Sequence, residues 1–126
     1  MKNSIIENIN LGSFKVSLNG RDFEFELLDM SLGDYYGTLK CENVYYFEYQ
    51  NIFENDEGFA CYLCEIYSYN LENSEAVSQL KEKKYMFLNQ DQNISIPSTY
   101  IQRVVLESGE MLIDLYCEAY SLELWF

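Results

Sequence analysis

The sequence contains no histidine among its 126 residues. This absence removes the side chain that most often acts as a general base near neutral pH and as a zinc ligand. The chain also has no match to the glycine-rich loops that hold nucleotide phosphates. Glycosidases use a pair of carboxylates, but 21 acidic residues form many such pairs by chance. No particular pair is therefore favoured as a catalytic site. We therefore predict no catalytic residue and expect that the protein is not an enzyme.

Long apolar runs are lacking as well. The first residues, MKNSIIENINLG, have neither the apolar core nor the cleavage site of a signal peptide. No later stretch approaches the roughly 18 apolar residues of a membrane span. One proline and 48% hydrophobic residues argue against a linker or a disordered chain. We expect one domain over residues 1–126 that is cytoplasmic and does not bind membranes.

Cations are scarce, and they are unevenly placed. The net charge is -13, from 21 acidic against 8 basic residues, and residues 41–80 and 104–126 contain no lysine or arginine. Such a charge repels nucleic acid, so we expect no nucleic-acid partner. It favours a basic protein partner, although solubility alone is an alternative explanation. The sequence gives no indication of oligomeric state.

A hairpin is the sharpest structural signal. In SFKVSLNGRDFEFEL, Phe14, Val16 and Leu18 alternate with polar residues, as do Phe23, Phe25 and Leu27 after Asn19-Gly20. Asn-Gly suits the two positive φ angles of a type I′ turn. We predict a two-residue hairpin with these six apolar side chains on its inner face.

The remaining chain has the alternation of strands, apart from one helix. NLENSEAVSQLKEKK predicts a helix over about residues 73–84, capped by Asn73 or Ser74 and apolar at Ala76, Val77 and Leu80. We expect the closing LELWF to be at least partly buried in a last strand. About seven or eight strands predict a mainly β fold, an antiparallel β-sandwich or a strongly curved sheet with one helix packed on it. The alternative is an α+β fold with one open antiparallel sheet.

Cys61 and Cys64 form a C-x-x-C motif, but a strand would point them to opposite faces. We interpret these two thiols, with Cys41 and Cys117, as buried and inert. The oxygen-rich loops ENDEG and NQDQN do not have the spacing of a calcium-binding EF-hand loop, and we interpret them as solvated turns. We therefore predict no metal site and no cofactor.

Tyrosines are interspersed with the acids in both regions that lack cations. Tyrosine gives a large contact area with few rotatable bonds, and carboxylates pair with arginine and lysine. Alternation along the predicted strands assigns one outward-facing candidate patch for partner binding and its adjoining turn. This patch consists of Glu42, Tyr46, Glu48, Glu54, Asp56 and Glu57. The alternative patch consists of Asp114, Tyr116, Glu118 and Tyr120.

The stretches GTLKCENVYYFEY and IDLYCEAYSLELWF give the chain a resemblance to the small acidic immunity proteins encoded beside polymorphic toxins in bacteria. The resemblance rests on strand patterns over most of the length and carries over no functional residue. It implies a cytoplasmic inhibitor that neutralises a cognate toxin by covering the toxin's active or substrate-binding surface. Two alternatives stay open: a structural β-domain of a larger assembly, and a domain that binds a small ligand or carbohydrate through its aromatic residues.

Overall fold

The computed structural model describes residues 1–51, 61–83 and 99–125. All strand pairs within these ranges are antiparallel, and the strands close into a barrel in the order β1-β2-β3-β6-β5-β4. The elements are β1 (Lys2–Val16), β2 (Phe23–Leu28), β3 (Tyr35–Asn51), β4 (Cys61–Glu72), α1 (Asn73–Glu82), β5 (Tyr100–Glu107) and β6 (Met111–Leu124). The prediction of a mainly β, antiparallel fold with one helix is confirmed. The described ranges hold six strands, because β3 is one long strand rather than two. A further short strand predicted at KYMFL lies outside the described residues.

Apolar side chains fill the barrel. Its interior cluster is drawn from every strand and includes Phe25, Leu39, Leu63, Leu106 and Ile113, all without accessible surface. Burial of this apolar area is the main contribution that holds the sheet closed.

Two of the predicted buried thiols lie in this interior. Cys41 on β3 and Cys117 on β6 are buried and free, as predicted. A hydrogen bond between the Cys41 thiol and Cys117, together with burial, raises the pKa of Cys41, which keeps it protonated and unreactive. The side chains of Cys61 and Cys64 lie outside the described part of the structure.

The first hairpin differs from its prediction. Val16 pairs with Phe23, the Ser17 amide donates to the Asp22 carbonyl at 2.8 Å, and the Gly20 amide donates to the Ser17 carbonyl at 2.8 Å. Gly20 has a φ of 74°, but Asn19 is not left-handed. The loop is therefore wider than a two-residue type I′ turn, and that prediction is wrong.

The predicted inner face of the hairpin is confirmed except at Leu18, which is fully exposed in the loop. Phe23, Phe25 and Leu27 are buried, and Phe14 and Val16 lie on the same side, opposite Phe25 and Phe23, although each is half-exposed. The Phe14 ring lies 5.9 Å from that of Phe25. A bulge between Leu11 and Phe14 shifts the register of β1 against β2, so that Phe14 comes to lie on the same side as Leu11.

Helix α1 occupies the predicted position and ends at Glu82. Its residues Ala76 and Leu80 are buried against Leu71, Ile101 and Tyr116, so the helix covers the outer side of the barrel at β4, β5 and β6. The N-cap is Glu72, which makes no side-chain capping bond, so the predicted cap at Asn73 or Ser74 is wrong. Strand β4 runs directly into the helix, and the Asn73 amide donates to the Thr99 carbonyl at 2.9 Å instead.

The chain end is only partly covered. Leu122 packs against the interior cluster, as expected, and β6 extends to Leu124. Trp125 is 70% exposed, and its amide donates to the Tyr36 carbonyl at 2.9 Å. Backbone pairing, rather than burial of the indole ring, therefore holds this residue in place.

Candidate protein-binding face

The two predicted patches meet in the structure. On the ladder between β3 and β6, Tyr46 pairs with Tyr116 and Glu48 pairs with Asp114. Their side chains lie on the outer side of the barrel beside the end of α1, where Lys83 and Arg103 join them. We call the resulting group the charge cluster; it consists of Tyr46, Glu48, Gln79, Lys83, Arg103, Asp114 and Tyr116.

Asp114 is the centre of the charge cluster and is only 2% exposed. Arg103 donates two hydrogen bonds to its carboxylate, from Nε to Oδ1 at 3.0 Å and from Nη2 to Oδ2 at 2.8 Å. Lys83 Nζ lies 3.0 Å from Oδ2 of the same carboxylate and 3.7 Å from Glu48 Oε2. The hydrogen bonds from Arg103 to Asp114 raise the pKa of the guanidinium above its ordinary value. Two cations therefore compensate an acid that burial would otherwise penalise.

Two tyrosines close the cluster toward the helix. The Tyr116 hydroxyl donates to Gln79 Oε1 at 2.7 Å, and Arg103 Nη1 donates to the same oxygen at 3.3 Å. The Tyr46 hydroxyl donates to Glu48 Oε2 at 2.5 Å, and its ring meets the Tyr116 ring edge-on at 5.9 Å. Burial raises the pKa of Tyr46 to about 12 and also raises the pKa of Tyr116. Both phenols stay neutral donors at physiological pH.

The outward exposure assumed for the alternative patch is wrong for three of its four residues. Asp114 and Tyr116 are buried, and Tyr120 packs on the barrel interior with its hydroxyl 2.9 Å from Ser68 Oγ. Glu118 is exposed, as expected. Helix α1 covers Asp114 and Tyr116 on the outer side of β6. Tyr120 faces inward because the alternation of β6 changes between Cys117 and Tyr120, which both contact the interior cluster.

The first patch is divided as well. Glu42 is exposed, whereas Tyr46 and Glu48 are partly buried in the charge cluster. Strand β3 contains a bulge here, with a register shift between Val44 and Tyr46. Glu54, Asp56 and Glu57 lie outside the described residues.

A second group of carboxylates lies away from the helix, on the outer side of β2, the first half of β3 and the second half of β6. We call this group the acidic face. Adjacent strands bring its members together: Glu26 pairs with Thr38, which pairs with Glu123, and Glu42 pairs with Ala119 beside Glu118. The face consists of Asp22, Glu24, Glu26, Glu42, Glu118 and Glu123.

Asn43 fixes one end of the acidic face. Its φ of 50° bulges β3, so that its amide donates to Asp22 Oδ1 at 3.1 Å and its Nδ2 donates to Glu118 Oε2 at 2.6 Å. A shallow cleft of about 370 Å³ runs beside it, lined by Asp22, Phe23, Glu24, Lys40, Cys41, Glu42 and Asn43. Asparagine tolerates this left-handed conformation better than most residues, which explains why the bulge occurs here.

Two lysines offset part of the charge on this face. Lys15 pairs across the strands with Glu24, and Lys40 lies between Glu24 and Glu123, 3.3 Å from Glu123 Oε1. Six carboxylates against these two lysines and Arg21, which precedes Asp22, leave an excess of negative charge on this surface. A surface of this kind attracts cations and basic proteins over a distance of about a Debye length.

The sequence interpretation placed Glu42 and Glu118 in separate patches and omitted the other four acids of the face. The signal for three of them was present: Asp22, Glu24 and Glu26 alternate with Phe23 and Phe25. That alternation predicts an acidic outer side for β2, but pairing of β2 with β3 cannot be read from it.

Within residues 1–51, 61–83 and 99–125, no three His, Cys, Asp or Glu side chains converge on a position that would hold a metal ion. Over the same ranges, the helix is too short to cross a bilayer.

Comparison with solved structures supports the fold. The crystal structure of an uncharacterized protein from Neisseria gonorrhoeae superposes with a TM-score of 0.66 at 20% sequence identity, and the match covers 98% of this chain and 97% of that chain. A likeness at this identity shows the fold alone. A comparison with curated proteins gives no significant match. A protein-family model with the description "-like:-like" matches residues 4–124. That range is nearly the whole sequence, and the chain therefore belongs to this family.

Proposed function

We propose that this chain is an immunity-type binding protein that neutralises a basic toxin domain in the cytoplasm by covering the toxin's active or substrate-binding surface. The acidic face is the observation that carries the proposal. Four of its six acidic residues are exposed and two are partly exposed, it spans three strands, and it presents more carboxylates than cations.

Few of the described carboxylates take part in ion pairs. The ion pairs engage the carboxylates of Glu48, Glu65, Asp114 and Glu123, and the remaining described carboxylates have no cationic partner among the described residues. Repulsion among like charges costs stability, so a surface with more carboxylates than cations suggests that a function maintains it. Toxins that act on nucleic acids carry basic surfaces, and an acidic protein that covers such a surface needs no catalytic group of its own.

The barrel interior argues against the small-ligand alternative. Apolar side chains fill the interior, including Phe25, Leu39 and Leu115 without accessible surface. Proteins that hold ligands in barrels leave room inside them. Packing of this kind favours recognition through the outer surface.

The proposal predicts that a gene next to this one encodes a secreted protein with a toxin domain at its C-terminal end, and that domain is the probe in the test. Glu42→Lys together with Glu118→Lys reverses two exposed charges at one end of the acidic face. The control, Glu82→Lys with Glu110→Lys, makes the same charge change on the helix and on the β5–β6 turn. The acidic-face variant should lower the association rate about tenfold at low salt, and raised salt should slow association of the wild type toward the rate of this variant.

Surface plasmon resonance at two salt concentrations measures both rates. Equal rates for the two double variants, with no salt dependence for the wild type, would contradict the electrostatic inhibitor. So would a neighbouring gene product with no affinity for the wild-type chain.

A further inference from the structure

Two exposed aromatic rings stand at the end of the acidic face opposite Asn43. Tyr35 is 43% exposed and Trp125 is 70% exposed, with their ring centroids 6.5 Å apart and their planes inclined at 56°. Backbone pairing positions both residues, because Trp125 donates its amide to Tyr36 and Tyr35 begins strand β3. The rings are thus held at a fixed place while their surfaces stay open to water.

These rings are continuous with the acidic face. The Tyr35 hydroxyl lies 2.6 Å from Thr38 Oγ1, and Thr38 is flanked by Glu26 on β2 and Glu123 on β6. The Glu123 side chain is 62% exposed, and Trp125 follows two residues later, just after the end of β6. Glu26 and Glu123 therefore flank the threonine that the Tyr35 hydroxyl contacts. Glu123 Oε1 also lies 3.3 Å from Lys40 Nζ, so an incoming guanidinium would share this carboxylate with that lysine.

We infer that Tyr35, Trp125, Glu26 and Glu123 form a site for an arginine side chain of a basic protein partner. A guanidinium stacks on an aromatic ring through cation–π attraction and bonds a carboxylate with two parallel N–H groups. Lysine carries a compact, strongly hydrated charge and lacks the planar fork, so it fits this combination less well. The inference rests on the proposed function only for the identity of the protein that carries the arginine.

Charge selects this occupant over two others. A second copy of the chain would bring its own net charge of -13 against Glu26 and Glu123, which opposes self-association through this end. An anionic membrane surface would be repelled for the same reason. A cationic side chain is the group for which both the rings and the carboxylates are attractive.

The sequence contains a single tryptophan, so fluorescence reports on this site directly. The probes are a peptide of six arginines and a charge-matched peptide of six lysines. Both should bind the acidic face, but the arginine peptide should protect Trp125 from acrylamide quenching about twofold more than the lysine peptide. Equal protection by the two peptides, or none, would overturn the arginine site.

Variants identify which groups are responsible. Tyr35→Ala should weaken the arginine peptide about threefold, whereas Tyr100→Ala, which removes a tyrosine 51% exposed at the start of β5, should not. Glu26→Gln with Glu123→Gln should remove the preference for arginine, with Glu82→Gln and Glu110→Gln as the control. Thermal unfolding confirms that each variant is folded. Equal weakening by Tyr35→Ala and Tyr100→Ala would contradict the inference.

The proposed function can fail separately. If the peptides behave as expected and the neighbour-encoded domain does not bind, the arginine site stands and the toxin partner is wrong. If that domain binds the wild type and Tyr35→Ala equally well, the acidic face stands and the aromatic site is wrong.

Discussion

The charge cluster and the acidic face share strands β3 and β6, but their carboxylates have different surroundings. On one half of the β3–β6 ladder, Glu48 and Asp114 face Lys83 and Arg103 beside the helix. On the other half, Glu42 and Glu118 face water. The change occurs where β3 bulges and where the cover provided by α1 ends.

The difference follows from solvation. A carboxylate that loses water must find cations and hydrogen-bond donors, because an unpaired buried charge costs several kcal/mol. A carboxylate that keeps its water has no such requirement, so its neighbours are free to be acidic too. Burial therefore separates acids that serve the fold from acids available to a partner.

Replacement of Asp114 should give the largest effect on stability. Asp114→Asn keeps the shape but leaves Arg103 and Lys83 facing a neutral amide. Loss of a buried ion-pair partner costs up to about 5 kcal/mol, and the side chains of Arg103 and Lys83 are 27% and 23% exposed, which lowers the expected loss to about 3 kcal/mol. Urea unfolding measures it.

Glu42→Gln is the matched control, because the same chemical change at an exposed acid should stay within about 0.5 kcal/mol of the wild type. Similar losses in Asp114→Asn and Glu42→Gln would remove the distinction between the two regions.

A smaller effect should come from Tyr116→Phe. At neutral pH the variant loses the hydrogen bond to Gln79, at a cost of about 1 kcal/mol. The pKa of Tyr116 is raised in the folded state, so its stabilising contribution is complete below the unfolded pKa of about 10 and is lost as pH rises beyond it. The wild type should therefore lose stability from about pH 10 upward, and the deficit of the variant should shrink.

Urea unfolding at pH 7, 9 and 11 follows both proteins, with Tyr100→Phe as an exposed control. A constant difference between wild type and Tyr116→Phe across this range would contradict a buried neutral phenol at this position.

Local patterns in the sequence predicted much of the fold. The alternation of Phe23, Phe25 and Leu27 gave β2, and the residues Ala76 and Leu80 gave the buried side of the helix, because each pattern depends on neighbours along the chain. The bulges of β1 and β3 could not be predicted from local alternation. One extra residue reverses every later side chain, and nothing local marks where it is inserted.

The candidate site shows the same limit. Asp114 and Tyr116 alternate as outward residues should, but the sequence does not say that α1 covers them. Their cations, Lys83 and Arg103, lie beyond the acidic segments in sequence and meet Asp114 only through tertiary packing. Strand alternation could therefore predict a polar side of β6 but not its burial.

The smallest expected effect concerns the acidic face itself. If its carboxylates repel one another, Glu42→Gln with Glu118→Gln should raise the free energy of unfolding by about 0.5 kcal/mol at low salt. The gain should disappear at about 0.5 M salt, because screening then shortens the Debye length to about 4 Å and relieves the wild type equally.

The control, Glu82→Gln with Glu110→Gln, removes the same charge from the helix and the β5–β6 turn, and it should gain less. Urea unfolding of the wild type and of both double variants at low and high salt makes the comparison. Identical salt dependence in all three would mean that the negative charge acts only through its total. The acidic face would then not differ in electrostatics from the rest of the surface. The ion pairs of the charge cluster around Asp114 do not depend on this result.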